Sequence, residues 1–225
     1  MKIAIMQPTF LPWIGYFSMI SKVDTFVILD NVQFDKRSWQ QRNKIKSFDK
    51  FQYLTVPVKS KGLFDQHIRE VEINIEEDYI SKHKKTITNL YSKSKYFNKF
   101  SNNIFNIYNE NFKFLIDLNM KFISYFCNYL NINTNIIYSS KLQVEGKKEH
   151  LILNICKYLK SDHYLSPIGS KNYIQRNNLF DDNNITLQYF EYNHPIYNQL
   201  YNDFIPYLSI IDLVFNEGDR SKNFI

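Results

Sequence analysis

Apolar and polar positions along the 225-residue chain follow two rhythms, one of strands and one of helices. Ile3-Ala4-Ile5-Met6 is an unbroken apolar run, and Thr25-Phe26-Val27-Ile28-Leu29 is another that ends on Asp30. Short apolar runs bounded by turn residues read as strands covered on both faces, as in a parallel sheet. Residues 13–22 between them carry helical spacing. Segments 2–6, 13–22 and 25–30 therefore predict a βαβ unit, and a right-handed crossover makes its two strands parallel. Residues 52–58 alternate and are rich in β-formers. Val71-Glu72-Ile73-Asn74-Ile75 alternates more cleanly, with one wet face, and Lys59-Ser60-Lys61-Gly62 reads as the loop between them.

From about residue 77 to about 131 the period becomes helical. Leu115, Leu118, Phe122, Phe126 and Leu130 recur at spacings of three and four, and no proline or glycine interrupts the stretch, which predicts two or three helices. Strands resume at 135–138, 164–165 and 186–190, interleaved with helices around 147–160 and 170–179. This alternation predicts one α/β domain over 1–225, with a mainly parallel, Rossmann-like or nucleotidylyltransferase-like sheet and an added helical layer at 77–131. All five glycines, Gly15, Gly62, Gly146, Gly169 and Gly218, fall at predicted turns or helix ends, where positive φ or close backbone approach is useful.

Composition narrows the function. The net charge of +6, from 28 basic and 22 acidic residues, favours an anionic ligand such as a phosphorylated compound or an RNA. The excess is spread along the chain. Cys127 and Cys156 lie in helical apolar patterns and read as buried thiols, which argues against a disulfide, a nucleophile or a zinc site. The apolar start is too short for a signal peptide, and no run reaches the roughly 18 apolar residues of a membrane span, so a cytoplasmic protein is expected. Aromatic residues make 17% of the chain, so aromatics among lysines are not by themselves a nucleic-acid signature.

Four clusters carry candidate chemistry. Met6-Gln7-Pro8-Thr9-Phe10-Leu11-Pro12-Trp13-Ile14-Gly15-Tyr16-Phe17 leaves the first strand and enters the first helix, the usual position of a ligand crevice in open α/β folds. Asp30 to Ile45 gathers Gln33, Arg37, Trp39, Gln41, Arg42, Asn43 and Lys44, residues able to clamp phosphates and stack a planar group. Tyr164-Leu165-Ser166-Pro167-Ile168-Gly169-Ser170-Lys171-Asn172-Tyr173 is a strand, a loop and a helix start. Ser166, Lys171 and Tyr173 are candidate ligand residues there, although the spacing is not that of a P-loop. In the fourth cluster His194, held extended before Pro195, is the best general base of five histidines, and Tyr197 follows it. Asp212 lies in the apolar run Ile210-Ile211-Asp212-Leu213-Val214 and needs a partner, with Ser209, an arginine or His194 as candidates. His67, His83, His150 and His163 stand among charged residues and read as solvated.

Together the Met6-to-Phe17 run, Val32-Gln33-Phe34, Trp39-Gln40-Gln41-Arg42-Asn43, Tyr164-Leu165-Ser166 with Tyr173, and His194-Pro195-Ile196-Tyr197-Asn198-Gln199 before Ser209-Ile210-Ile211-Asp212 resemble the WbqC-like family. The resemblance is spread over nearly the whole chain. It implies bacterial O-antigen, lipopolysaccharide or other surface-polysaccharide biosynthesis, where some members have been proposed to be glycine transferases acting on amino sugars. The Gly169 loop is less glycine-rich than the family version. Trp13-Ile14-Gly15-Tyr16 also stands where nucleotidylyltransferases and class I synthetases carry His-x-Gly-His after the first strand. Without those histidines, the groups that steady a pentavalent phosphate are missing.

The expected activity is an acyl- or aminoacyl-transferase that joins an amino acid such as glycine to the amine of a nucleotide-linked sugar. His194 would take the amine proton, with Gln7 and Asp212 placed beside it in the catalytic set. Gln7 and Asn43 would donate to the carbonyl or sugar, and Arg37, Arg42 and Lys171 would hold the diphosphate. Trp13, Gln33, Trp39, Ser166, Tyr173 and Tyr197 would complete the ligand surface. An aminoacyl-tRNA, a thioester and an adenylate are the candidate donors, and no motif names a cofactor or a metal. The alternatives are a nucleotidylyltransferase-like enzyme and a non-catalytic sugar-nucleotide binding protein.

Overall fold

The structure, a computed structural model, describes residues 1–171, 178–201 and 203–225. In chain order its main elements are β1 (Lys2–Met6), α1 (Ile14–Ser21), β2 (Thr25–Ile28), β3 (Arg42–Lys46), β4 (Phe51–Thr55), α2 (Tyr79–Tyr91), α3 (Phe97–Tyr108), α4 (Leu115–Leu130), β5 (Asn135–Tyr138), α5 (Lys148–Tyr158), β6 (His163–Pro167), β7 (Thr186–Phe190) and α6 (Ile210–Glu217). They form two compact units, each drawn from separated stretches. Unit 1 comprises Met1–Gln7, Met19–Asn31 and Asn133–Asn193, and unit 2 comprises Pro8–Ser18, Val32–Ile132 and His194–Ile225.

Unit 1 is built on a five-stranded sheet in the order β5-β2-β1-β6-β7, with every neighbouring pair parallel. Ile3, Ala4 and Ile5 of β1 and all four residues of β2 are buried, as the sequence pattern requires of strands covered on both faces. The second strand ends at Ile28, two residues short of the expected Asp30, while the Leu29 N–H still donates to the Met6 carbonyl at 2.8 Å. Chain order reverses about β1, since β2 lies on one side of it and β6 on the other. The carboxyl ends of β1 and β6 thus flank a topological switch point, and Gln7 and Ile168-Gly169-Ser170 follow them directly. Buried Asp30 joins the ends of β2 and β5, accepting from Ser139 Oγ at 2.9 Å and from Ser140 N and Oγ at 2.8 and 2.5 Å. Most of the helix expected at 170–179 lies outside the described residues.

Unit 2 holds the helical stretch as α2, α3 and α4. Phe97, Phe100, Ile104, Ile107 and Tyr108 form the buried stripe of α3, and Leu115, Leu118, Phe122, Phe126 and Leu130 are all buried on α4. Asp78 caps α2, accepting from the Ser81 N–H at 3.1 Å. Cys127 here and Cys156 in unit 1 are buried, and burial pushes both thiols up to about 12.

Two expectations are corrected in unit 2. Residues 42–46, where the sequence pattern predicts no strand, form β3, which pairs antiparallel with β4. Only Ile45 is apolar in Arg42-Asn43-Lys44-Ile45-Lys46, so hydrophobic alternation could not reveal the strand. Conversely, residues 71–75 form no ladder. Val71 and Ile73 are buried as alternation demands, but the segment makes only isolated bridges, Ile73 to Val58 and Glu72 to Phe114.

Candidate functional site

Residues 8–13 enter unit 2 as a loop tied down by backbone hydrogen bonds. Asn43, buried on β3, donates through Nδ2 to the carbonyls of Phe10 and Leu11 at 3.1 and 2.8 Å. Phe10 N–H donates to the Trp39 carbonyl at 2.9 Å, Ile210 N–H to Pro12 at 2.8 Å and Ser209 N–H to Lys44 at 2.8 Å. Leu11, with φ of 43°, makes the tight bend. Gly15 is required beyond it, because a Cβ there would collide with the indole ring of Trp13. The expected ligand residue Asn43 thus serves to fix this loop.

Trp13 stacks on His194 with ring centres 6.2 Å apart and an interplanar angle of 13°. Tyr207, Phe204 and Tyr197 complete the nest at 5.2, 5.6 and 6.2 Å from the imidazole. The ring is half-buried, more enclosed than its place beside a proline predicts. His194 Nδ1 lies 2.9 Å from the Pro195 carbonyl and must donate to it, so Nε2 is the basic nitrogen of the neutral ring. Burial pulls its pKa below the usual value for histidine.

Behind the nest, Asp212 is fully buried and accepts from Tyr91 Oη at 2.8 Å and Tyr197 Oη at 2.7 Å. These two tyrosines correct the expectation that Ser209, an arginine or His194 would be the partner. Ser209 instead caps α6. Burial pushes the Asp212 carboxyl up to about 6, against the opposing hydrogen bonds of Tyr197 and Tyr91 and the charge of Lys46. The Lys46 N–H donates to Tyr91 Oη at 2.8 Å, which ties β3 to the same network. Asp212 therefore reaches the histidine nest through Tyr197.

A cavity of about 630 Å³ opens elsewhere in unit 2. Among the described residues Lys36, Arg37 and Lys82 supply three positive charges to its wall against the single acid Glu77, with Gln41, Tyr79 and His83 among the other lining residues. Arg37 has φ of 60°, a left-handed conformation that costs a non-glycine residue on the order of 1–3 kcal/mol. Its loop is built to hold that shape: Gln41 Oε1 accepts from the Arg37 N–H at 3.1 Å, and Asn119 of α4 donates to the Gln40 carbonyl at 2.8 Å.

His83 corrects the expectation of a solvated side chain. It is 5% exposed, and its Nε2 lies 3.0 Å from the Thr55 carbonyl, so Nε2–H donates there and Nδ1 accepts from Tyr108 Oη at 3.2 Å. The signal was legible on α2, where Tyr79, His83, Ile87, Leu90 and Tyr91 form one buried stripe. Burial lowers the His83 pKa to about 4, below its unfolded value of about 6.5. As pH falls through that interval the unfolded chain takes up a proton that the native ring refuses. Stability contributed by neutral His83 is full above pH 6.5 and is lost by roughly 3 kcal/mol on the way to pH 4. Denaturant titrations at pH 7 and pH 4.5 check this, with His83→Gln expected to lose about 2–3 kcal/mol less than the native chain.

The remaining candidates fall in several places. Gln7, exposed after β1, and Lys171, exposed after β6, belong to unit 1. Ser166 is fully buried there, donating to Tyr164 Oη at 3.3 Å and lying 2.5 Å from Ser170 Oγ. Tyr173 lies outside the described residues. In unit 2, Gln33 Nε2 donates to the Phe64 carbonyl at 2.8 Å. Arg42 and Trp39 lie on the outer face of the β3–β4 hairpin, with the Arg42 guanidinium 4.4 Å above the Tyr53 ring and Trp39 6.4 Å from it.

Among the described residues no helix is long and apolar enough to cross a membrane. A curated relative, "Uncharacterized protein Rv1507c" of Mycobacterium tuberculosis (strain ATCC 25618 / H37Rv), is 34% identical over 226 residues, covering 100% of this chain and 97% of the relative. No solved structure matches. The family model of the WbqC-like protein family matches residues 7–224, which takes in the aromatic nest, the cavity and both units, and the chain belongs to that family.

Proposed function

We propose that the protein is a cytoplasmic acyl- or aminoacyl-transferase that modifies the amine of a nucleotide-linked sugar, with glycine as one acyl group, for bacterial surface-polysaccharide (O-antigen) biosynthesis. The observation that carries this reading is the cavity in which Lys36, Arg37 and Lys82 meet with one opposing acid, a charge balance suited to a diphosphate. His194 supplies the base. Residues 8–13 support one shared site: Phe10 packs 5.9 Å from His83 of the cavity wall, and Trp13 stacks on His194. Three residues of chain span at most about 11 Å between Cα atoms.

In the proposed reaction the sugar amine attacks the acyl carbonyl, a C–N bond forms, and the bond from that carbon to the donor oxygen or sulfur breaks. With the aromatic nest opened to admit the amine, His194 Nε2, otherwise closed off from solvent, takes the amine proton and passes it to the departing group. Asp212 holds Tyr197 against the imidazole and acts as a positioning residue. Gln7 and Lys171, beside the unit 1 switch point, remain proposed ligand residues, and the family match across both units supports treating 1–225 as one functional domain.

Calorimetry with a nucleoside-diphosphate-linked amino sugar tests the cavity. Arg37→Ala and Lys82→Ala should each weaken binding roughly ten- to a hundredfold, the loss expected for a charge-assisted hydrogen bond of about 1.5–3 kcal/mol. Native affinity in both variants would remove the cavity from the proposed site.

A further inference from the structure

The outer face of the β3–β4 hairpin is a basic and aromatic surface that the cavity does not absorb. Arg42 pairs with Thr55 and Lys44 with Tyr53, so strand alternation sets Arg42, Lys44 and Tyr53 on one face, with Phe51 two residues along from Tyr53. Trp39, Phe51 and Tyr53 are 48%, 38% and 40% exposed, an unusual cost in apolar surface for a short hairpin. Their rings form a row, with centres 6.4 Å apart from Trp39 to Tyr53 and 5.8 Å from Tyr53 to Phe51. A cation accompanies each ring. The Arg42 guanidinium lies 4.4 Å from Tyr53, and the Lys44 ammonium lies 4.4 Å from Phe51 and 5.5 Å from Trp39. Thr55, the partner of Arg42, also lines the cavity, so this face leads to the cavity rim.

We propose that this face binds single-stranded nucleic acid, and so brings an acylated RNA end to the cavity; the second clause rests on the transferase reading above. Exposed rings stack bases, a guanidinium plane extends the stack, and the ammonium and guanidinium groups meet phosphates at intervals along the strand. Charge complementarity selects this occupant. Among the described residues no carboxylate takes part in the row, and the chain as a whole carries +6. The backbone is rigid enough to serve, since a full antiparallel ladder and the Asn43 clamp hold β3 from behind.

Fluorescence anisotropy of the full chain with a labelled single-stranded RNA of about twelve nucleotides, longer than the shortest sites of single-strand binders, is the test. Trp39→Ala should weaken binding roughly five- to a hundredfold, the range expected for loss of one base stack. The double variant Arg42→Ala/Lys44→Ala should weaken it and reduce the salt slope by about 0.7 for each phosphate that is no longer neutralised. Lys157→Ala, an exposed lysine of α5 with no place in the cavity or the hairpin, should bind RNA as the native chain does. All of these side chains are exposed or half-buried, and circular dichroism checks that the variants fold. Unchanged RNA affinity in the hairpin variants, or binding to anionic lipid vesicles in place of RNA, overturns the proposal. If the native chain fails to bind RNA while Lys82→Ala still loses the nucleotide-linked sugar, the hairpin proposal falls and the cavity reading stands. If the hairpin variants lose RNA while Arg37→Ala and Lys82→Ala both keep native sugar affinity, the cavity reading falls and RNA binding by the hairpin stands.

Discussion

Replacing His194 by alanine is expected to lower turnover roughly 100- to 10,000-fold while sparing affinity for the nucleotide-linked sugar, because a general base contributes that factor in the transition state and little to ground-state binding. The basis is local. Nδ1 is committed to the Pro195 carbonyl, which fixes the tautomer, and burial among Trp13, Tyr197, Phe204 and Tyr207 keeps the ring neutral near pH 7. Single-turnover kinetics and calorimetry on the variant check the two halves separately. Normal turnover would make the imidazole structural and move the search for a base to other groups, whereas a joint loss of turnover and affinity would place His194 in ligand binding.

Asp212→Ala is expected to be the most damaging single change to stability, by about 3–5 kcal/mol, because it removes one member of a buried charged network and leaves the rest in place. Two buried tyrosine hydroxyls, from Tyr91 and Tyr197, lose their acceptor at once. Asp212→Asn keeps the shape and should cost less. It also removes a pH dependence whose sign opposes that of His83. The native Asp212 titrates at about 6 against about 3.8 when unfolded, so the folded chain binds this proton more tightly and its stability falls as pH rises between those values. From pH 4 to pH 7 the Asn variant should therefore gain roughly 3 kcal/mol relative to the native chain. Urea titrations across that interval measure it, and parallel stability curves for the two proteins would contradict the assignment.

The parallel sheet was legible because β1 and β2 are runs of Ile, Ala, Val and Phe that only a two-sided core can cover. The helical stretch was legible for a related reason, since its apolar stripes run unbroken by proline or glycine. The second strand of the hairpin was also legible, since residues 52–58 alternate and β4 spans Phe51–Thr55, but its first strand, β3, was not. Its inward positions are filled by Asn43 and Ile45, and Asn43 is buried for its amide, which holds the Phe10 and Leu11 carbonyls. Hydrophobic periodicity cannot detect a strand whose inward residue is a hydrogen-bonding clamp.

The site divides along the same line. Arg37 and His194 could be named as candidates from the sequence, the first for its polar cluster and the second for its extended place before Pro195. Lys82 and His83 come from a helix more than forty residues after Arg37, and only the fold brings them to one cavity wall. That Asp212 needs a partner followed from its apolar neighbours. That the partners are Tyr91 and Tyr197 did not, because Tyr91 lies 121 residues away along the chain.

The proposed transfer is tested most directly by mass spectrometry of a nucleoside-diphosphate-linked amino sugar after incubation with the protein and charged donors, an aminoacylated RNA and an acyl thioester in separate reactions. The expected result is a mass gain equal to one acyl or aminoacyl group on the sugar with at least one donor, formed at least about a hundredfold more slowly by His194→Ala. Pyrophosphate release without that gain, or saturable binding that leaves the sugar unchanged with every donor, would contradict it.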